Sequence, residues 1–181
     1  MIKQIFKHSN YSIVKRASED VEDDVSDSDK KSEGKSHIKA AAMYIAMLKA
    51  MTIIHQHGHW TAKGKQFYGE HLLFERIYKS AQENLDSAVE KFIGLLGVDV
   101  LQFTQQTELL NKVLSEFDDE NSIERSLKAE KEFIKFSKDI YKIFEENEAL
   151  TLGLDDMIMA TASDREEACY LLQQSKSTKE E

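Results

Sequence analysis

The stretch that decides the fold runs from residue 59 to residue 90, HWTAKGKQFYGEHLLFERIYKSAQENLDSAVE. Its second part reads as one long helix, and His71, Glu75, Asp86 and Glu90 fall on a single side of it. Steps of four and eleven residues advance only about 40° and 20° around a helix axis. The four groups therefore form one polar stripe of imidazole and carboxylate. At about 1.5 Å rise per residue, however, His71 and Asp86 are about 22 Å apart, whereas metal ligands sit about 2 Å from their ion. One helix cannot close a site. If a second copy of the helix runs antiparallel across a two-fold axis, His71 faces Glu90 of the mate and Glu75 faces its Asp86. Both pairs share a midpoint between Ser80 and Ala81. The spacing thus predicts a dimer with two equivalent metal sites.

Working outward, the composition favours helices. The chain has 181 residues with no proline, seven glycines and long runs of Ala, Leu, Glu and Lys, so it lacks the turn chemistry of a many-stranded fold. Its length suits one domain. The single cysteine, Cys169, cannot form an internal disulfide, and residues 1–16 hold no apolar run of signal-peptide length. An intracellular protein is expected. No stretch reads as long and apolar enough to span a bilayer, and a net charge of −9 argues against adhesion to anionic membranes.

Helical periodicity predicts a first long helix from His37 to about Ala62, with Ile38, Ala41, Ile45, Leu48 and Met51 inward. Gly64 and Gly69 punctuate a loop. A second helix runs from about Glu70 to Leu96 and is capped by Gly97. A short helix, about Thr104 to Ser115, occupies the connection to a third long helix, which Asp118, Asp119 and Asn121 can cap and which reaches about Glu146. Phe133, Phe136, Ile140 and Phe144 line its inner side. A fourth helix spans about Leu152 to Gln174, with Leu154, Met157, Ile158, Ala162, Ala168, Tyr170 and Leu171 as burial candidates. Four long helices and one short one in the crossover make a ferritin-like four-helix bundle over 37–174.

The ends look different. Residues 1–36 read as a mobile N-terminal tail: Lys3, Lys7, Lys15 and Arg16 come first, followed by seven acidic residues between Glu19 and Asp29. Residues 175–181 form a short C-terminal tail, in which Lys176 and Lys179 are offset by Glu180 and Glu181.

With its motifs in view, the chain resembles the Dps-type miniferritins, the DNA-protection-during-starvation proteins of the ferritin-like superfamily. That pattern has a His-Trp pair, a glycine-containing loop with an aromatic residue, a second His twelve positions after the first, a carboxylate four further on, then Asp and Glu at the next eleven and four. Here these are His59-Trp60, Gly64, Phe67, His71, Glu75, Asp86 and Glu90, and Ser163-Asp164-Arg165 adds a matching run on the last helix. The resemblance implies that His59, His71 and Glu75 of one subunit join Asp86 and Glu90 of its mate to bind iron (Fe2+/Fe3+). It implies a ferroxidase that oxidises Fe(II) preferably with hydrogen peroxide, stores ferric mineral in a hollow homo-dodecamer, and protects DNA in the cytoplasm or nucleoid. It also puts Glu145, Glu146, Glu148, Asp155 and Asp156 near pores through the shell.

Two departures stand out. Glu75 replaces a common aspartate, and the mixed or acidic tails weaken the case for direct DNA contact. Trp60 reads first as a packing group and second as an electron donor to the site. His55 with His59 forms a rival pair at i and i+4 able to bind zinc or copper, but with no carboxylate or cysteine nearby in sequence, His55 and His57 read as surface or secondary groups. The absence of Glu-x-x-His argues against a di-iron site within one bundle. The alternative function is a structural or DNA-compacting shell with weak or no ferroxidase activity.

Overall fold

The computed structural model describes residues 28–117 and 121–177, and these form five α-helices with no strand among them. They are α1 (Ser28–Thr61), α2 (Phe67–Leu96), α3 (Phe103–Leu114), α4 (Ser122–Glu146) and α5 (Leu152–Ser177), with short 3-10 turns at Val98–Leu101 and Ser115–Phe117. α1 packs against α2 and α4, and α5 packs against the same two helices, so α1 and α5 stand at opposite corners of a four-helix bundle. The expected architecture, with its short helix in the crossover, is what the chain adopts.

Local chemistry explains most of the boundaries. Asn121 caps α4, its side chain accepting a hydrogen bond from the Glu124 N–H at 3.0 Å. Gly97 ends α2 with a φ of 82° and donates its N–H to the Ile93 carbonyl at 2.9 Å. After α4, Ala149 N bonds Phe144 O and Glu148 N bonds Glu145 O, a Schellman-like close that puts Glu148 at a φ of 54°, a position glycine usually takes. The sequence expectation placed the start of α1 at His37; its helix instead begins at Ser28, through a polar run with no apolar period to mark it. The segment 1–27, the proposed caps Asp118 and Asp119, and Lys179, Glu180 and Glu181 lie outside the described residues.

The core holds the phenylalanines expected of α4, namely Phe133, Phe136, Ile140 and Phe144, stacked against Tyr44, Met47, Met51 and Phe92. α1 differs from the expected one-sided helix, for every residue from Ala40 to Leu48 is buried. The reason is α3, which covers its outer side. From α3 the buried Gln106 donates to the carbonyls of Ala42 and Val100, each at 3.0 Å, and accepts from Lys49 Nζ at 3.0 Å. A helix wrapped on all sides is apolar all round. Residues 37–61 are consequently long and apolar enough to cross a membrane, contrary to the sequence expectation, although most of that stretch lies inside the bundle. On α5 the inward stripe runs through Thr161, Arg165, Ala168 and Leu172, while Tyr170, expected in the core, is 60% exposed.

Candidate functional site

The end of α1 meets the start of α2 across the short loop 62–66. The two helices approach closely because residue 58 is glycine: a Cβ there would lie 2.6 Å from the Phe74 ring. This brings His59 and His71 into a stack with centroids 3.7 Å apart and ring planes 24° from parallel. Each imidazole then bonds the other's backbone. His59 Nδ1 donates to the His71 carbonyl at 2.9 Å, and His71 Nδ1 donates to the His59 carbonyl at 3.0 Å. Carbonyl oxygens only accept, so both protons sit on Nδ1 and both Nε2 lone pairs are left open. That is the tautomer in which a histidine ligates a metal while its second nitrogen is anchored. Phe67 flanks His71 at 5.1 Å, and Tyr78 sets its edge against His59 at 5.4 Å.

Glu75, one turn beyond His71, adds a carboxylate. Its Oε1 accepts from Lys79 Nζ at 2.5 Å, and this bond, with the lysine charge, holds the carboxyl below its ordinary range; the two imidazoles act in the same direction. It is therefore an anion at neutral pH. The imidazoles are half-buried, whereas Trp60 beside them is 69% exposed and does not cover the site within one chain. Asp86 and Glu90 are exposed on the same helix, beyond reach of the His pair by its about 22 Å of rise. Among the described residues, no three His, Cys, Asp or Glu side chains converge to hold a metal. Within one chain the imidazoles and Glu75 are thus separated from Asp86 and Glu90. The acidic group around the join of α4 and α5 stays at or near the surface, and beside it the burial of Tyr141, followed by the Asp155 and Glu145 charges, raises the phenol above its ordinary range.

Sequence reasoning misread His55. It is fully buried, and its Nε2 lies 2.9 Å from Glu130 Oε1, so the carboxylate that seemed missing comes from α4. Glu130, itself fully buried, also accepts from the buried Arg165 Nη1 at 3.2 Å, and Arg165 Nη2 donates to Ser80 on α2. His57 is exposed, as expected, with its Nδ1 at 3.3 Å from Arg125 Nη1. Separations of 75 residues (His55 to Glu130) and 35 residues (Glu130 to Arg165) leave no pattern for sequence to reveal.

No known family profile matches the sequence, and no curated protein does either. Among solved structures the chain is similar to a Dps from Thermosynechococcus elongatus, at 16% identity and a TM-score of 0.66 over 79% of this chain and 91% of the other. The chain has a Dps-type ferritin-like fold.

Proposed function

We propose that this chain is the subunit of a Dps-type miniferritin that oxidises ferrous iron at sites shared across a two-fold dimer. One observation carries the reading: two stacked imidazoles, each anchored through Nδ1, present free Nε2 lone pairs at a half-exposed edge that lacks carboxylates other than Glu75. The missing carboxylates, Asp86 and Glu90, lie on the same stripe of α2, at the spacing an antiparallel mate would supply. Exposed Ile53, Trp60, Phe67, Tyr68 and Leu72 give this part of the surface apolar area suited to burial against that mate.

Nitrogen and carboxylate donors suit Fe(II) as substrate, and the carboxylates favour the more highly charged Fe(III) product. His59, His71 and Glu75 of one subunit would hold the ferrous ions together with Asp86 and Glu90 of the mate, the imidazoles supplying neutral nitrogen donors and the carboxylates anionic ones. Each peroxide accepts two electrons, one from each of two ferrous ions, and two protons; its O–O bond breaks and both oxygens pass to water. The ferric product is stored in a shell of twelve subunits. Protection of DNA follows from removing iron and peroxide together in the cytoplasm. Lys176, which pairs with Glu124 at 3.2 Å, is not a free lysine of the kind that DNA-binding tails need.

The test mixes His71→Ala and Asp86→Ala subunits after dissociation and reassembly. Each mixed dimer has one intact site, so random pairing should restore about a quarter of the wild-type rate of peroxide-dependent Fe(II) oxidation, from half the dimers being mixed and half their sites intact. A rate no higher than that of the separate mutants would remove the shared-site reading.

A further inference from the structure

The centre of the bundle holds a second polar cluster, independent of the surface half-site. Each of the four long helices sends one group to it: His55 from α1, Ser80 from α2, Glu130 from α4 and Arg165 from α5. The side chains of His55, Glu130 and Arg165 are fully buried. A single carboxylate oxygen, Glu130 Oε1, meets both the guanidinium at 3.2 Å and the imidazole at 2.9 Å, the latter without the alignment of a hydrogen bond. Around them Glu130 Oε2, His55 Nδ1, Arg165 Nε and Ser126 Oγ are buried with no hydrogen-bond partner. The cluster is thus a carboxylate flanked by an imidazole and a guanidinium, enclosed in a helical bundle with open lone pairs.

Inward-facing carboxylates and histidines at mid-bundle are what ferritin-like folds use to bind metal ions within one chain. Here the donor set is short, with no third His, Cys, Asp or Glu in place, and the positive charge is covalent. A buried carboxylate requires a partner charge, and the guanidinium supplies it with directed hydrogen bonds to α4 and α2.

We propose that Arg165 is a built-in cation occupying the centre of the bundle, and that its presence keeps divalent metal out of the interior and confines metal binding to the chain's surface. The inference needs neither the dimer nor ferroxidase activity. Any small cation able to reach the vacated space, whether a divalent metal ion or a free guanidinium, should take the place of the side chain once it is removed.

Cobalt(II) is the probe, read by its visible ligand-field absorption and by equilibrium dialysis of the full chain. In a His59→Ala/His71→Ala background, which removes the surface imidazoles, the chain should take up no cobalt with an interior spectrum. Adding Arg165→Ala should introduce one cobalt ion per chain. That uptake should disappear with Glu130→Gln and fall at least tenfold in affinity when millimolar methylguanidinium competes. A folded Arg165→Ala chain that binds no extra cobalt, or whose cobalt survives Glu130→Gln, overturns the proposal. If Arg165→Ala does not fold, cobalt or methylguanidinium must restore its helical circular dichroism, and failure of both to do so overturns it equally.

Discussion

Two histidines one turn apart on α1 end in opposite circumstances. His55 is fully buried and faces a carboxylate held by an arginine, so the charged groups nearest it come from within the chain. His59 is half-buried, spends its Nδ1 on a backbone carbonyl, and offers its Nε2 to whatever arrives. The difference separates a polar group enclosed by the chain from one open to a ligand better than burial alone. Both sites have imidazole near carboxylate, but only the outer one leaves its lone pairs accessible.

The contrast should be largest when the carboxylates are removed. Glu130→Ala leaves the Arg165 guanidinium buried without a counter-charge, which is expected to cost about 3–5 kcal/mol in urea unfolding. Glu75→Ala should leave the unfolding midpoint where it was, since its pair with Lys79 is screened by water. Under the proposed function its effect should appear in Fe(II) oxidation instead. A comparable loss of stability in both variants would erase the distinction.

Alkali probes the inner region again. Burial pushes the Tyr44 phenol up to about 12, with Thr161, Ser137 and Arg165 opposing the shift. A phenol raised in the folded state holds its proton after the unfolded chain has lost it, so the associated stability is complete below pH 10 and is lost as pH rises from 10 to 12. The increment is about 3 kcal/mol at most, and Tyr44→Phe should flatten that part of the pH–stability curve.

At the outer site, Gly58→Ala sets a methyl group against Phe74. Overpacking of this kind should cost about 1–3 kcal/mol, and the imidazoles should lose their mutual carbonyl bonds as the helices part. Nitrogen-15 shifts of His59 and His71 would register that loss as mixed tautomers; unchanged shifts would mean the pair is held by something else. The smallest effect concerns Cys169. Burial, followed by the Glu130 charge, pushes its thiol up to about 11, so labelling by iodoacetamide at pH 8 should be far slower than for a free thiol.

Much of this was legible in the residues. The stripe on α2, the Gly97 stop and the Asn121 cap are local, and local patterns survive folding. The direct contact of His59 with His71 was not, because it depends on how closely two helices approach. Neither was the inner cluster, whose charges sit on helices where sequence reading assigns charge to solvent. Arg165 also explains the misplacement of Tyr170: the inward stripe of α5 passes through a cation, and a search for apolar period shifts off it by a residue or two.

The covering of α1 by α3 has a consequence for synthesis. The chain emerges with residues 40–48 ready to be buried on every side, yet the helix that shields their outer face starts only at residue 103. Until then a growing chain exposes its most apolar helix, and fragments ending before α3 should aggregate or engage chaperones while longer ones stay soluble.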